Sequence, residues 1–238
     1  FYKETVEANI GMICVGTDQR SSRQAVEFAA NHEFTWAAIG VHPHDTKDGW
    51  GDVKTLLENK TENSPIVAIG EIGLDYYYNN SPRETQIEGL EAQLQMAIDY
   101  DLPVSFHVRD GAKDQPSVWG DFWPIFDNFP GLRGVLHSFT DTRENLEKGF
   151  SRNLYVGLNG ISTFTKDQLQ KELFASIPLE RLLLETDAPF LTPVPFRGNI
   201  NKPEYVRLVA EYWAKQRNID FDVLSQATLH NTKELFGI

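Results

Sequence analysis

The sequence predicts an α/β chain of parallel strands, and two observations support this prediction. Short apolar runs alternate with amphipathic stretches along the 238 residues, which is the pattern of successive βα units. Residues that bind metals or transfer protons follow nearly every run, as they do at the carboxyl ends of barrel strands. An open doubly wound sheet would gather its chemistry at one switch point instead. The pattern therefore favours a (β/α)8 TIM barrel.

Seven runs have the length and the β-branched content of strands buried on both faces, and Gly, Pro or Asp bounds them. In chain order they cover residues 11–17, 35–41, 66–70, 103–106, 134–136, 154–158 and 181–184. A closed barrel has eight strands. We expect the missing first strand to lie upstream of Phe1, and the alternative is a short protein with an incomplete site.

Helical patterns separate the runs. Residues Ser81–Glu84 have the sequence of a capping box, with Pro82 at the first helical position. Apolar residues then recur at helical spacing between positions 87 and 98. Because no linker rich in Pro, Gly or Ser interrupts this alternation, we predict a single domain over residues 1–238.

Composition and charge exclude several classes of protein. The chain is 41% hydrophobic and 24% charged, as in globular domains. No apolar run reaches the ~18 residues of a membrane helix, so we predict no membrane partner. Cys14 is the single cysteine, which excludes an internal disulfide and fits a cytoplasmic location. The net charge of −12 argues against a protein that grips duplex nucleic acid non-specifically.

Polar residues, most of them able to bind a metal or transfer a proton, follow the predicted strands. They are His42, His44, Glu71, Asp75, His107, Arg109, His137, Asn159, Glu185 and Asp187. Among them Glu71, His107, His137 and Asp187 are separated from one another by whole βα units. Imidazoles and carboxylates together suit Zn²⁺, Mn²⁺ or Mg²⁺. The sequence has no G-x-S-x-G elbow and no phosphate-binding loop of the P-loop type. These observations predict metal-assisted hydrolysis at one mouth of a barrel.

Seven stretches together resemble the TatD family of metal-dependent deoxyribonucleases. They are residues 40–44 (GVHPH), 69–76 (IGEIGLDY), 103–110 (PVSFHVRD), 136–139 (LHSF), 184–189 (LETDAP), 197–203 (RGNINKP) and 231–237 (NTKELFG). The resemblance runs from about Cys14 to the last residue. The family opens with an Asp-x-His-x-His type strand, which the chain lacks and which we expect upstream of Phe1.

The resemblance implies a role for each matching residue. The implied ligands of two divalent ions (Mg²⁺, Mn²⁺ or Zn²⁺) are Glu71, His107, His137 and Asp187. The implied catalytic residues are Asp187, which handles the proton of the attacking water, together with Glu71 and His44. The implied substrate contacts are His44, Asp75, Arg109 and Arg197.

The activity expected from the resemblance is hydrolysis of DNA phosphodiester bonds, as a 3′–5′ exonuclease on single-stranded or frayed ends. DNA is therefore the expected partner, and the direction of attack comes from the family alone. One alternative is a related hydrolase of another ester or amide, such as an aminoacyl-tRNA deacylase or an amidohydrolase, because fold does not set substrate. The other alternative is an inactive, truncated barrel.

Several residues have a second interpretation. We predict that His42 is structural or lies beside the ligands, and that Glu185 supports a ligand. Asp75 either orders a ligand or caps a loop. Trp123 and Phe126 either stack on a base or, as we prefer, pack a helix against the sheet.

The two arginines among the candidates are also ambiguous. The guanidinium group matches phosphate geometry, so Arg109 and Arg197 favour an anionic substrate. Arg109 can instead pair with Asp110 or Asp114. The sequence alone leaves both possibilities open.

Overall fold

A computed structural model describes residues 1–78, 80–112 and 114–238, and its chain divides into two compact units. The first unit is Met12–Gly134. The second unit combines Phe1–Gly11 with Val135–Ile238. The single domain expected over the whole chain stays a prediction.

The second unit contributes the first helix, α1 (Tyr2–Glu7), and the first unit then alternates strands with helices. Its strands are β1 (Met12–Val15), β2 (Thr35–Ile39), β3 (Ile66–Asp75) and β4 (Val104–Arg109). Its helices are α2 (Gln19–Ala30), α3 (Gly51–Glu58), α4 (Arg83–Asp99) and α5 (Trp119–Asp127), with a 3₁₀ turn at Thr46–Asp48. Each strand pairs in parallel with the next.

The strands of the first unit differ in burial. Strands β2 and β3 are buried along nearly their whole length, as the apolar runs predict. Strand β1 is only partly buried, and Val15 is 45% exposed. Within the described part of the first unit β1 pairs with β2 alone, so the prediction of burial on both faces is wrong for β1.

The pairing of β3 with β4 contains a bulge at the residues that matter most for the site. Ile69 pairs with Val104 and Ile72 with Phe106, so β3 has one more residue than β4 over this stretch. Glu71 lies inside the bulge. Bulges turn a side chain away from the regular alternation and are frequent beside active sites. Strand β3 therefore continues past residue 70, where the sequence pattern ended it.

The capping box predicted at Ser81–Glu84 does not form. Helix α4 begins at Arg83, Pro82 occupies the cap position, and no side chain caps the helix. The Ser81 hydroxyl instead donates a hydrogen bond to the carbonyl oxygen of His44 and accepts one from the N–H of Lys47. The local sequence pattern predicts that the Ser81 hydroxyl caps the helix, but in the structure this hydroxyl makes tertiary contacts instead.

The second unit holds three parallel strands and most of the helices. The strands are β5 (Gly134–Leu136), at whose start the boundary falls, β6 (Tyr155–Leu158) and β7 (Leu182–Leu184). The helices are α6 (Arg143–Ser151), α7 (Ile161–Phe164), α8 (Gln168–Ser176), α9 (Val206–Arg217) and α10 (Phe221–Phe236), with 3₁₀ turns at Leu179–Arg181 and Pro203–Tyr205. Strand β5 pairs with β6 and β6 with β7.

The seven predicted strands are confirmed, and so is the α/β class. Eight-stranded closure and a strand upstream of Phe1 stay predictions. No helix in residues 1–78, 80–112 and 114–238 combines the length and apolarity needed to cross a bilayer.

Candidate metal centre

His107 lies in β4 with both ring nitrogens against carboxylates. Its Nδ1 is 2.8 Å from Glu71 Oε1, and its Nε2 is 2.9 Å from Asp75 Oδ2. Burial opposes protonation of the imidazole, but the hydrogen bonds to Asp75 and Glu71 outweigh it and raise the pKa of His107. The direction of the ring is therefore fixed from both sides.

His42 follows β2 and adds a third donor atom. Its Nε2 is 3.6 Å from Glu71 Oε1, and one ligand atom from each of His42, Glu71 and His107 lies within 4.8 Å of the others. Burial and then the charge of His107 lower the pKa of His42 to about 3, although Glu71 opposes them. His42 is thus neutral at pH 7, the form in which an imidazole binds metal.

Asp75 is the fully buried support of this cluster. Its Oδ1 accepts hydrogen bonds from the backbone N–H groups of Tyr77 (2.9 Å) and Tyr78 (3.0 Å). Burial favours the neutral acid, yet the hydrogen bonds from His107 and Tyr78 hold the pKa of Asp75 well below its usual range. The Gln86 side chain binds both the N–H and the carbonyl of Asp75. An ionised carboxylate in a fixed place therefore orients His107.

His44 adjoins the same cluster. Its Nε2 is 3.1 Å from Asp75 Oδ2, and its ring lies edge-on to His42, with centroids 4.4 Å apart. That Nε2 is buried and makes no hydrogen bond among the described residues, although it lies within ion-pair distance of the Asp75 carboxylate. His44 therefore keeps unused hydrogen-bonding capacity beside the three donor atoms.

This donor set fits a divalent metal ion. Two imidazoles and a carboxylate are accepted ligands of Zn²⁺ and Mn²⁺. Metal-binding histidines usually give their second ring nitrogen to a carboxylate, as His107 does to Asp75. His44 Nε2, which makes no hydrogen bond among the described residues, is a further candidate donor atom beside Asp75. The residues His42, Glu71 and His107 would hold the ion.

Gly73 allows β3 to pass close to His107. The two residues are paired in register, and a Cβ at position 73 would lie 1.8 Å from the carbonyl oxygen of His107. Gly73 also has φ +152°, a conformation that side chains rarely adopt. A glycine at this position is therefore a condition for the placement of His107.

The second unit contains a separate histidine held by carboxylates. His137 follows β5, and its Nδ1 is 2.9 Å from Glu185 Oε2. Glu185 Oε1 accepts a hydrogen bond of 2.7 Å from the N–H of Ser138. The other ring nitrogen of His137 lies 3.7 Å from Asp187 Oδ1. Glu185 thus orients His137, and Asp187 faces its second nitrogen.

Two residues of the His137 cluster have positive φ angles. Ser138 has φ 49° and Asp187 has φ 60°, which costs a residue other than glycine about 1 kcal/mol or more. A Cβ at Gly157 would lie 2.6 Å from Glu185 Oε2, so glycine leaves room for that carboxylate. Residues held at positive φ concentrate at functional sites.

The two candidate arginines have aromatic partners. Arg109, at the end of β4, places its guanidinium carbon 4.2 Å from the ring centre of Tyr77. Arg197 lies 3.7 Å from the ring centre of Phe164 and donates a hydrogen bond to the carbonyl of Thr192. Both arginines are exposed.

The chain matches one protein family over nearly its whole length. The family described as TatD related DNase matches residues 3–237. The chain belongs to the TatD family. The resemblance identified from the sequence motifs is thereby confirmed, and the chain is a TatD-family hydrolase with a His–Glu–His candidate metal site.

Relatives in this family cover nearly the whole chain. The uncharacterized metal-dependent hydrolase YabD of Bacillus subtilis is 35% identical over 95% of the chain and 87% of its own length. The 3′-5′ ssDNA/RNA exonuclease TatD of Escherichia fergusonii is 35% identical over 96% of the chain and 88% of its own length. The crystal structure of YjjV, a TatD homologue from Escherichia coli, has a TM-score of 0.88 at 28% identity and covers 100% of this chain and 90% of its own.

The site residues predicted for this TatD-family chain fall into two groups. The first unit brings together Glu71, His107, His44 and Asp75, with Arg109 at the end of the same strand as His107. The second unit brings together His137 and Asp187. It also contains Arg197, which contacts Phe164 and Thr192.

The structure also bears on residues that were not among the predicted metal ligands. His42, predicted to be structural or to lie beside the ligands, is grouped with them. Its position directly after β2 was the available signal. Trp123 and Phe126 are buried, in agreement with the preferred packing role. Tyr77 and Tyr78, to which no sequence motif assigned a role, are exposed beside Arg109.

Proposed function

We propose that this TatD-family chain hydrolyses phosphodiester bonds of nucleic acid, as a 3′–5′ exonuclease on single-stranded DNA. The observation that carries the proposal is the partly buried His42–Glu71–His107 donor set, with His107 oriented by Asp75. The name of the Escherichia fergusonii relative, an ssDNA/RNA exonuclease, supports the choice of substrate.

The proposed roles begin with metal binding. His42, Glu71 and His107 hold a divalent ion, Mg²⁺, Mn²⁺ or Zn²⁺, and we retain His137 and Asp187 as ligands for a total of two ions. Such ions would act as Lewis acids, which favour the ionisation of water and stabilise negative charge on a phosphate. Asp75 and Glu185 keep the imidazoles of His107 and His137 in the required direction. This assigns Asp75 an orienting role rather than a substrate contact.

Other side chains handle the proton and the phosphate. Asp187 accepts the proton of the attacking water, for which a carboxylate within hydrogen-bond reach is suited. His44 has a ring nitrogen without a hydrogen-bond partner among the described residues, and we assign it a contact with the scissile phosphate. Arg109 and Arg197 contact phosphate groups of the substrate, because guanidinium groups match their geometry.

The test is release of nucleotides from a 3′-labelled single-stranded DNA with Mg²⁺ or Mn²⁺. The variants are His42→Asn, which removes a donor atom, and Asp187→Asn, which removes the proton acceptor. His230→Asn is the matched control, because this histidine lies on α10 with a side chain 78% exposed. We expect release to require the metal, to vanish in both variants and to persist in the control.

Other outcomes separate the alternatives. Stoichiometric metal binding without nucleotide release would overturn the DNA substrate, and the chain would then be a hydrolase of another ester or amide. Absence of metal binding would overturn the proposed chemistry and leave an inactive barrel. Equal release by wild type and His42→Asn would remove His42 from the site.

A further inference from the structure

Two exposed tyrosines lie directly beside the donor cluster of the first unit. Tyr77 is 55% exposed and Tyr78 is 45% exposed. Their rings meet edge to face, with centroids 4.8 Å apart. The Tyr78 ring also lies 5.4 Å from the ring of His44. These aromatic surfaces therefore adjoin the residue assigned to the scissile phosphate.

The backbone fixes the place of both tyrosines. Their N–H groups donate to the same oxygen of the buried Asp75, and the other oxygen of Asp75 faces His107. One carboxylate therefore orients the candidate metal ligand and holds the backbone that carries the exposed rings. Such preorganisation lowers the entropy lost when a ligand binds.

Arg109 completes the surface with a positive charge. Its guanidinium carbon lies 4.2 Å from the ring centre of Tyr77 and 5.0 Å from that of Tyr78. Asp110, a possible partner of Arg109, instead accepts hydrogen bonds from Ser117 and Val118. Among the described residues no carboxylate pairs with Arg109, in a chain whose net charge is −12.

We propose that Tyr77, Tyr78 and Arg109 form a stacking platform for one nucleotide of a single-stranded substrate. A base stacks on an exposed tyrosine ring, and the flanking phosphate pairs with Arg109. Aromatic rings bind bases of any sequence in this way, because every base has a π-face. The proposal rests on the proposed nuclease function and identifies where the chain holds a base.

The test measures binding of a fluorescent single-stranded oligonucleotide with phosphorothioate linkages, which resist cleavage. Tyr77→Ala and Tyr78→Ala remove the rings, whereas Tyr77→Phe and Tyr78→Phe keep them. We expect at least one alanine variant to bind about 5- to 150-fold more weakly, the loss typical of one stacked base. The phenylalanine variants bind like wild type. Phe34→Ala is the matched control, because Phe34 is an aromatic residue of the first unit that is 61% exposed.

An abasic scan identifies the stacked base. Removing the base at one position weakens binding to wild type, but it adds no further loss in the alanine variant that lacks the platform ring. Equal losses in wild type and variant at every position would overturn the platform. Equal losses for alanine and phenylalanine would also overturn it, because they would point to the hydroxyl or to misfolding.

Cleavage by wild type separates the two proposals. If wild type cleaves the unmodified DNA and both alanine variants bind and cleave equally well, only the stacking platform is wrong. If wild type neither binds nor cleaves single-stranded DNA, the proposed function is wrong and the platform fails with it.

Discussion

His107 in the first unit and His137 in the second are each held between two carboxylates, but they use their ring nitrogens in opposite order. His107 gives Nε2 to its orienting carboxylate, Asp75, and Nδ1 to Glu71. His137 gives Nδ1 to its orienting carboxylate, Glu185, and turns Nε2 toward Asp187. Either ring nitrogen of a histidine can therefore face the carboxylate that orients the ring.

The two orienting carboxylates are also fixed by different means. Asp75 has no exposed surface and accepts two backbone N–H groups. The Glu185 side chain is 22% exposed, accepts one backbone N–H group and lies over Gly157. Because burial strengthens electrostatic interactions, the His107 cluster is the more preorganised of the two. Its disruption is expected to cost more.

The largest expected effect comes from Gly73, and Gly157 provides the contrast. In Gly73→Ala the new Cβ meets the backbone carbonyl of His107 at a φ that disfavours alanine, so we expect a stability loss of at least about 3 kcal/mol. In Gly157→Ala the three atoms nearest the new Cβ all belong to the carboxylate end of the Glu185 side chain, which can move. We expect that variant to keep its stability within about 1 kcal/mol and to lose roughly 10-fold in activity.

Urea unfolding and nucleotide release measure this difference. Equal destabilisation by both substitutions would contradict the distinction between a backbone clash and a side-chain clash. Gly120→Ala serves as the control, because a Cβ at that helical position would meet no atom within 4 Å.

A smaller effect is expected from the orienting carboxylates. Asp75→Asn and Glu185→Gln keep the size of the side chain and remove its charge. Each is expected to lower the affinity for Mn²⁺ by about 10- to 100-fold, as loss of a partner of a metal ligand does. Asp75→Asn should also cost about 2 kcal/mol of unfolding free energy, because its hydrogen bonds are buried and charged.

Titration calorimetry with Mn²⁺ and urea unfolding check both quantities. If Glu185→Gln destabilises the chain more than Asp75→Asn, the His107 cluster is not the more preorganised of the two. Glu58→Gln on the exposed face of α3 controls for the loss of one negative charge.

The strands could be predicted from the sequence because periodicity and turn residues are local. The candidate ligands at their ends could be predicted for the same reason, since parallel strands direct their carboxyl ends alike. The position of the Glu71 side chain could not be predicted, because Glu71 lies in a bulge that depends on the register of β3 against β4. The bulge is a property of two strands, and the sequence pattern describes one at a time.

Tertiary contacts explain the other differences. Ser81 has the local sequence of a helix cap, but its hydroxyl contacts the backbone at His44 and Lys47, far away in sequence. His42 follows a strand like the other candidates, yet its distance from Glu71 and His107 is known only once three strands are assembled. Glu185 lies against His137, the candidate ligand, and its supporting role stays a prediction.

The smallest expected effect comes from a charge pair that resembles the His107 cluster in geometry but not in burial. Arg83 Nη2 lies 2.7 Å from Asp121 Oδ1, and Asp121 also accepts a hydrogen bond from the Tyr76 hydroxyl. The side chains of Arg83 and Asp121 are 49% and 22% exposed. Water and salt therefore screen the pair, and Arg83→Ala should cost no more than about 1 kcal/mol.

This last substitution isolates burial as the cause of the difference. Arg83→Ala should leave Mn²⁺ affinity and nucleotide release unchanged, and its small effect on unfolding should shrink further at high salt. A loss as large as that of Asp75→Asn would show that short distance alone determines the contribution of these ion pairs. Because the donor–acceptor distances at Asp121 and at Asp75 are nearly equal, the expected contrast comes from the complete burial of Asp75.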